Sequence, residues 1–453
     1  MSAKANKKKV LAALLLNVLA VLPCTAQYKL DTIRYAGSSD DYTDIVYLCE
    51  GFTASELDKF VKEAKSHDSY FFKKEPWKRY SKLFNVFYVK TASNVSGAGM
   101  TPDAPIDNFY GTTFGCAGVD RMPWPTNMSK VYEVLNKTMP KYDLVIILVN
   151  SSKYGGAGNS SLKMMCLSLD GSSKETVCHE AGHAFAGLAD EYWYDREDES
   201  PNDARSINPV KWQNWVGINN VGVYPFEETT GWYRPHESCL MRYLNSDYCA
   251  VCRETIIEAI HKKSKFIKSY SPQKGQTEIY GDTTFALQIL APSPNTLRRE
   301  WVLDDKRVAY NVDKYHLEAG KIPEGDHVLS VTVNDTTLMV KKTTHNILHT
   351  TTITWKIHNN VLSGIKVLES DEDEFSIGPI PFTDELTFTD KKVSDKKVRM
   401  ELYNLQGASV AQGVFPGNAP ATLSTADLAP GIYILQVFKG DRLIYSRKVT
   451  KEK

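Results

Sequence analysis

The pattern of secondary-structure signals changes near residue 270, and this change limits the possible folds more than any other feature of the sequence. Before it, buried-strand patterns such as residues 44–48 and 142–149 alternate with amphipathic helix patterns such as residues 57–64. After it, helix signals almost vanish, and short strand patterns follow one another between turn residues, at 285–290, 299–303, 327–333 and 351–358. We therefore expect an α/β (α+β) domain followed by all-β modules.

The chain has 453 residues, which is too long for a single core. We expect a signal peptide at 1–26 and an α/β domain at 27–270. The strand spacing that follows is typical of an immunoglobulin-like β-sandwich, which we assign to 271–360. A second β-sandwich module is assigned to 361–453.

The first residues predict export. Lysines at 4 and 7–9 precede an apolar run at 10–22, which is shorter than the about 20 residues of a transmembrane helix. Cleavage after Ala26 is favoured over lipidation of Cys24, because Pro23 stands where a lipoprotein signal has a small residue. We expect a mature protein that is secreted or held at the outer cell surface and has no transmembrane segment.

Charge and cysteine content narrow the function classes. The 54 basic and 54 acidic residues balance, which argues against nucleic acid as a partner. Beyond Cys24 an odd number of cysteines remains, at a density too low for a disulfide-held scaffold. Cys249 and Cys252 form a CxxC pair that resembles half a zinc ribbon. A local disulfide or two buried thiols is the favoured interpretation, since no second CxxC exists.

A candidate metal motif lies at His179-Glu180-Ala181-Gly182-His183. Histidines four apart on a helix project from the same face and can share one cation, and the glutamate can take a proton from water that the cation activates. Ser172 and Glu175 predict a capping box, an independent sign that a helix begins just before the motif.

The third metal ligand is predicted from spacing. In the metzincin pattern HExxHxxGxxH/D, the glycine and the last metal ligand would fall on Ala186 and Ala189. An alanine side chain cannot bind a metal. The glycine instead stands one residue later, at Gly187, and the same three-residue step leads to Asp190. Asp190 is favoured, and Glu191 is the competitor.

A second motif follows about fifty residues downstream, at 238–243 (SCLMRY). Metzincins place a methionine-bearing turn beneath the metal, and Met241 suits that position. Tyr243 would then place a phenol near the metal, where it could hydrogen-bond an oxyanion. The competing interpretation makes Met241 a core residue and Tyr243 a half-buried sheet residue.

Three segments together resemble the IgA-type metallopeptidases of family M64: residues 179–192 (HEAGHAFAGLADEY), 150–159 (NSSKYGGAGN) and 114–121 (FGCAGVDR). The resemblance covers about residues 40–265. It implies a secreted zinc endopeptidase with a metzincin-like fold. It also implies His179 and His183 as ligands, an acidic third ligand, and Glu180 as the base.

The last module resembles a type IX secretion sorting domain, on residues 379–386, 402–407, 428–435 and 447–449. Such domains usually begin with a YPNP-like run, whereas residues 378–381 here read GPIP. The resemblance implies a secretion machinery as a partner and a β-sandwich fold. The alternative is an ordinary terminal adhesion or spacer domain.

These observations predict a zinc-dependent endopeptidase that cuts extracellular proteins or glycoproteins. Zn²⁺ would be held by His179, His183 and Asp190. Glu180 would accept the proton of the attacking water, and Tyr243 would stabilise the oxyanion. The alternative is a surface adhesin that binds glycan or protein through its β modules and retains a vestigial metal domain.

Overall fold

The computed structural model describes residues 28–192, 197–227, 230–273, 276–360, 375–392 and 395–452. The predicted signal peptide and the start of the last predicted module, at residue 361, lie outside those residues. Tertiary contacts divide the chain into two compact units. The first comprises Met1–Gln273, Ala286–Tyr315 and Ser330–Ile353, and the second comprises Lys274–Phe285, His316–Leu329 and Thr354–Lys453.

A six-stranded sheet is the centre of the first unit. Eight strands lie in this part of the chain: β1 (Leu30–Arg34), β2 (Thr43–Glu50), β3 (Phe84–Val89), β4 (Thr112–Thr113), β5 (Trp124–Pro125), β6 (Leu144–Val149), β7 (Gly156–Asn159) and β8 (Met164–Ser168). The sheet has the order β1-β3-β2-β6-β8-β7, and β4 pairs with β5. The four inner strands run parallel, whereas β1 and β7 are antiparallel edges.

The same unit contains α-helices. They are α1 (Leu57–Phe71), α2 (Trp77–Tyr80), α3 (Met128–Thr138), α4 (Ser173–Ala186) and α5 (Ala250–Lys263). Every residue of β2 and β6 is buried, as expected for parallel strands between two layers. On one face, Val131, Val134 and Leu135 of α3 share a core with the β2 and β6 side chains. On the other face, α4 packs against β7 and β8 and so lies at one edge of the sheet.

Local patterns predicted four of these elements, namely β2, β6, α1 and α4. The strands expected at 44–48 and 142–149 are β2 and β6, and α1 follows a capping box in which the Glu56 carboxylate accepts from the Thr53 N–H at 2.9 Å. The predicted capping box at α4 is wrong. Ser172 does precede the helix, but the Glu175 carboxylate binds the Tyr70 hydroxyl and Lys74 Nζ instead.

The glycine-rich segment 153–159 is only partly a break between strands. Its second half forms the edge strand β7, paired with β8. The glycines allow this because a Cβ at Gly156 would come within 2.6 Å of Thr176 Cγ2 on α4. The close approach of β7 to the helix therefore depends on residues without side chains.

The remaining strands of the first unit are β9 (Tyr224–Pro225), β10 (Tyr233–Arg234), β11 (Ile267–Ser271), β14 (Leu297–Leu303) and β15 (Lys306–Tyr310), with the short helix α6 (His345–Leu348). Four strands cross the boundary between the units: β13 (Thr283–Ile289), β16 (Lys314–Leu317), β17 (Gly325–Asp335) and β18 (Thr351–Asn359). The strands predicted at 285–290, 299–303, 327–333 and 351–358 are thus all present, as β13, β14, β17 and β18.

The second unit contains β-strands: β12 (Gln276–Ile279), β19 (Phe375–Gly378), β20 (Glu385–Asp390), β21 (Val398–Tyr403), β22 (Ser409–Phe415), β23 (Ala421–Ser424), β24 (Gly431–Lys439) and β25 (Arg442–Lys451). A three-stranded sheet β19-β20-β23 and a four-stranded sheet β22-β21-β24-β25 share one core, which includes Phe388, Met400 and Leu435. This is a β-sandwich, as predicted for the last module.

Among the described residues, no helix combines the length and apolarity needed to cross a bilayer.

Candidate metal centre

Helix α4 carries the HExxH motif on a buried face. His179, Glu180 and His183 lie on its last turns, with His179 and Glu180 buried and His183 half-buried. The four-residue spacing places the two imidazoles side by side, so that their Nε2 atoms are 3.2 Å apart.

The chain then turns back and adds a carboxylate. Gly187 ends α4 with φ +66°, a left-handed conformation that glycine adopts without steric cost. Three residues later, Asp190 Oδ1 lies 3.0 Å from His179 Nε2 and 3.3 Å from His183 Nε2. We refer to these three side chains as the His–His–Asp centre.

The backbone orients both imidazoles. His179 Nδ1 lies 2.9 Å from the carbonyl oxygen of Leu240, and His183 Nδ1 lies 2.6 Å from that of Leu188. A carbonyl oxygen can only accept, so each Nδ1 carries a proton, and whenever the ring is neutral its Nε2 lone pair points into the centre. Two lone pairs and a carboxylate oxygen that converge in this way fit a divalent cation.

The charges of the three side chains in the His–His–Asp centre influence one another strongly. Burial lowers the pKa of His183, but the nearby Asp190 carboxylate outweighs it and raises the net pKa to about 9. Burial also opposes ionisation of Asp190, yet the two imidazoles hold the pKa of that carboxyl well below its usual range. The centre therefore favours positive charge next to Asp190, whether from protons or from a metal.

Glu180 lies beside this centre on a small cavity of about 100 Å³. The cavity is large enough for several water molecules. Burial raises the pKa of Glu180, and the charges of His179 and His183 oppose that rise. The remaining lining residues are Arg121, Tyr154, Thr176, His179, Tyr192, Arg242 and Leu244.

Arg121 and Tyr192 line the cavity, although the motifs did not single them out. Arg121 Nη2 donates to the Tyr192 hydroxyl at 3.1 Å, and that hydroxyl also hydrogen-bonds to Asp190. Both residues lie within the segments that resemble family M64, which is the signal that could have drawn attention to them. Their position links the cavity beside Glu180 to the carboxylate of the His–His–Asp centre.

Met241 lies beneath the motif helix. Its side chain is fully buried, and a Cβ at Gly182 would come within 2.6 Å of its Sδ atom. The glycine inside the HExxH motif therefore makes room for Met241. Met241 is thus a core residue in the position expected for the floor of the site.

The side chains of Tyr243 and Glu191 lie in environments that differ from that of the His–His–Asp centre. The Tyr243 side chain is 50% exposed, and the Arg242 guanidinium lies 4.7 Å from its ring centroid. Tyr243 is not among the described residues that line the cavity beside Glu180. Glu191, the competitor of Asp190, is fully buried, and its Oε1 lies 3.1 Å from Asn202 Nδ2 and 3.2 Å from Cys252 Sγ.

Comparisons with known proteins identify two segments of the chain. Residues 32–219 match the family model described as IgA Peptidase M64. Residues 376–452 match the model described as a secretion system C-terminal sorting domain. The first segment includes the whole HExxH motif and Asp190, whereas Met241 and Tyr243 lie beyond it. In a comparison with curated proteins, none matches the chain.

The chain is distantly similar to the following two solved structures. The fibronectin(III)-like modules of Clostridium thermocellum CbhA are 16% identical, and the match covers 20% of this chain and 92% of that chain, with a TM-score of 0.14. The Bacteroides ovatus mixed-linkage glucan utilisation protein SGBP-B is 10% identical over 41% of this chain and 47% of that chain, with a TM-score of 0.16. The chain thus spans less than half of the second protein.

The two family matches agree with the resemblances seen in the sequence. The sorting domain indicates export, to the cell surface or beyond it. Across residues 32–219 the chain is therefore similar to IgA Peptidase M64, and at residues 376–452 it is similar to secretion system C-terminal sorting domains.

Proposed function

We propose that this protein is an exported zinc-dependent endopeptidase that hydrolyses peptide bonds of extracellular proteins or glycoproteins. The observation that carries the proposal is the convergence of His179 Nε2, His183 Nε2 and Asp190 Oδ1 beside the Glu180 cavity. The match of this segment to a peptidase family supports it.

Zinc is the metal that this donor set suits best. Two imidazole nitrogens and one carboxylate oxygen are the ligands of a catalytic zinc site with an open position. When bound there, zinc would lower the pKa of water and polarise the scissile carbonyl. The hydrogen bonds from each Nδ1 to a backbone carbonyl pre-orient both imidazoles for this role.

Glu180 is proposed as the general base. Glu180 lines a cavity large enough for water, and burial raises the pKa of its carboxyl, which strengthens the carboxylate as a proton acceptor. It would take a proton from the attacking water and deliver it to the leaving amine. A site that only held the fold together would have no need of this group.

Two sets of groups are proposed for the developing oxyanion. Tyr243 is the tyrosine predicted from the downstream motif, and its exposed side chain leaves it free to meet a substrate. Arg121 and Tyr192 lie on the cavity itself, where a cation and a phenol can donate to negative charge.

The finer description of the architecture is also a proposal. We propose a metzincin-like peptidase domain at 27–270, followed by β-sandwich modules at 271–360 and 361–453. The six-stranded sheet with α4 at its edge supports the first assignment, and the β-sandwich core of the last module supports the third.

The test combines zinc content with digestion of a peptide library, read by mass spectrometry. The wild-type protein should cut internal peptide bonds, and Glu180→Gln should abolish cleavage while it retains zinc. Glu133→Gln is the matched control, because Glu133 is exposed on α3.

Two outcomes would overturn the proposal. One is cleavage by Glu180→Gln at the wild-type rate, and the other is a zinc-loaded wild-type protein that cuts nothing in the library. The second outcome, together with binding to a glycan or protein surface, would favour the adhesin alternative.

A further inference from the structure

Three thiols and one carboxylate meet in the interior of the first unit, apart from the His–His–Asp centre. The residues are Glu191, Cys239, Cys249 and Cys252, and we refer to them as the cysteine cluster. One ligand atom from each lies within 4.8 Å of the others. All four side chains are buried, and all described cysteines are free thiols.

The distances in the cluster fit a tetrahedral metal. Cys239 Sγ and Cys252 Sγ are 3.7 Å apart, and Cys252 Sγ is 3.2 Å from Glu191 Oε1. A tetrahedral zinc with Zn–S of about 2.3 Å and Zn–O of about 2.0 Å separates two sulfurs by about 3.8 Å and a sulfur from an oxygen by about 3.5 Å. Cys249 Sγ is slightly farther out, 4.0 Å from Glu191 Oε1.

The backbone around the cluster favours thiolates. Cys249 is the residue that caps the N-terminus of α5, and Cys252 lies in the first turn of that 14-residue helix. A helix N-terminus stabilises negative charge. In addition, the Cys249 N–H donates to Cys239 Sγ at 3.3 Å, which is a contact that a thiolate sulfur accepts.

Glu191 gives independent support. Its side chain is fully buried, and its Oε2 has no hydrogen-bond partner in the part of the chain that the structure describes. A buried carboxylate is costly unless it is paired or coordinates a metal. Asn202 Nδ2 donates to the other oxygen, Oε1, at 3.1 Å and so fixes the carboxylate toward the thiols.

We propose that Glu191, Cys239, Cys249 and Cys252 hold a second zinc ion with a structural role. Four protein ligands close the coordination sphere, as in structural rather than catalytic zinc sites. The ion would join the loop after α4, the turn that carries Met241 and the first turn of α5. The site goes beyond the proposed peptidase function and does not depend on it, because its cysteines lie outside the matched peptidase segment.

Cobalt substitution in the full chain tests the proposal without reliance on activity. Cobalt(II) bound by thiolates shows an intense ligand-to-metal charge-transfer absorption, which the His–His–Asp centre cannot produce because it contains no sulfur. The cobalt-loaded wild-type protein should show this absorption, and the zinc form should hold about two zinc ions per chain.

Variants assign the absorption to the cluster. Cys252→Ser should lose the charge-transfer absorption and about half of the bound zinc, whereas His183→Ala should keep the absorption and lose the other half. Cys166→Ala is the matched control. Cys166 is a buried free thiol of β8 outside the cluster, and its removal should leave the metal content and the spectrum unchanged.

The wild-type protein alone can overturn the proposal, even if Cys252→Ser does not fold. A cobalt form without thiolate charge transfer would do so. So would alkylation and mass spectrometry of the denatured protein that reveal a disulfide between Cys239 and Cys252. If the wild-type protein shows the charge-transfer absorption but no Glu180-dependent cleavage of the peptide library, only the peptidase proposal is contradicted.

Discussion

Gly158 lies so close to Glu180 that a Cβ atom at this position would come within 2.8 Å of the Glu180 backbone oxygen. The same Cβ would meet Glu180 Oε2 at 3.0 Å and His183 Cβ at 3.1 Å. Gly158 belongs to the edge strand β7, so the strand and the motif helix touch backbone to backbone at the proposed base. The position of Glu180 therefore depends on a glycine that lies 22 residues earlier in the chain.

Gly158→Ala should push β7 away from α4, because the nearest obstacle is backbone and cannot rotate away. We expect a loss of about 1–3 kcal/mol in the free energy of unfolding, typical of overpacking, and a fall in turnover of tenfold or more. Chemical denaturation and peptide cleavage measure the two effects. Gly171→Ala is the control, since no atom lies within 4 Å of its Cβ position; equal behaviour of the two variants would contradict the prediction.

Asp190→Ala should lower the affinity of the His–His–Asp centre for zinc by about 100-fold or more, because loss of even an indirect partner of a metal ligand typically costs 10- to 100-fold. Competition with a chelator measures this. Asp198→Ala, at an exposed position, is the matched control. Glu191→Ala should leave this centre loaded, and the reverse order of effects would make Glu191 the ligand.

Tyr243→Phe and Tyr192→Phe should separate the two proposals for the oxyanion. If Tyr243 donates to it, Tyr243→Phe should lower kcat by roughly 10- to 1,000-fold with little change in KM, zinc content or thermal stability. Tyr192→Phe removes the hydrogen bond to Asp190, so it should lower zinc affinity as well as kcat. A Tyr243→Phe protein with wild-type kcat would remove Tyr243 from the mechanism.

Glu56→Gln should destabilise the protein at neutral pH but not in acid. Hydrogen bonds from the Thr53 backbone and from neighbouring side chains lower the pKa of Glu56 to about 2, below the about 4.3 of an unfolded chain. A depressed folded-state pKa contributes stability above the unfolded value, and this is lost as pH falls toward the folded value. From the capping bonds we expect a deficit of about 1 kcal/mol at pH 7 that shrinks below about pH 4.

Urea denaturation of wild type and variant at several pH values measures this difference. Glu237→Gln, at an exposed position, is the control and should show no deficit. A Glu56→Gln deficit that stays constant down to pH 3 would show that the capping carboxylate does not account for the stabilisation.

Structural features that depend on residues close together in the chain could be predicted from the sequence. The buried strands β2 and β6, the helix under the HExxH motif and the side-by-side imidazoles follow from periodicity, because secondary structure sets which residues share a face. The step from Gly187 to Asp190 spans only three residues, so counting along the chain led to the carboxylate that the structure places beside both histidines.

Other features follow only from the way distant segments meet. Asp190 and Glu191 are adjacent, yet one carboxylate faces the histidines and the other faces Cys252, which lies 61 residues later. Arg121 donates a hydrogen bond to Tyr192, which lies 71 residues later in the chain. The glycines of β7 show their role only in the structure, where α4 packs against them. Spacing along the chain carries no information about these pairs, because a contact between distant segments depends on the packing of the whole core. The sequence by itself therefore determined the motif and its candidate metal donors, and the tertiary structure decided which distant loops meet at the candidate metal centre and at the cysteine cluster.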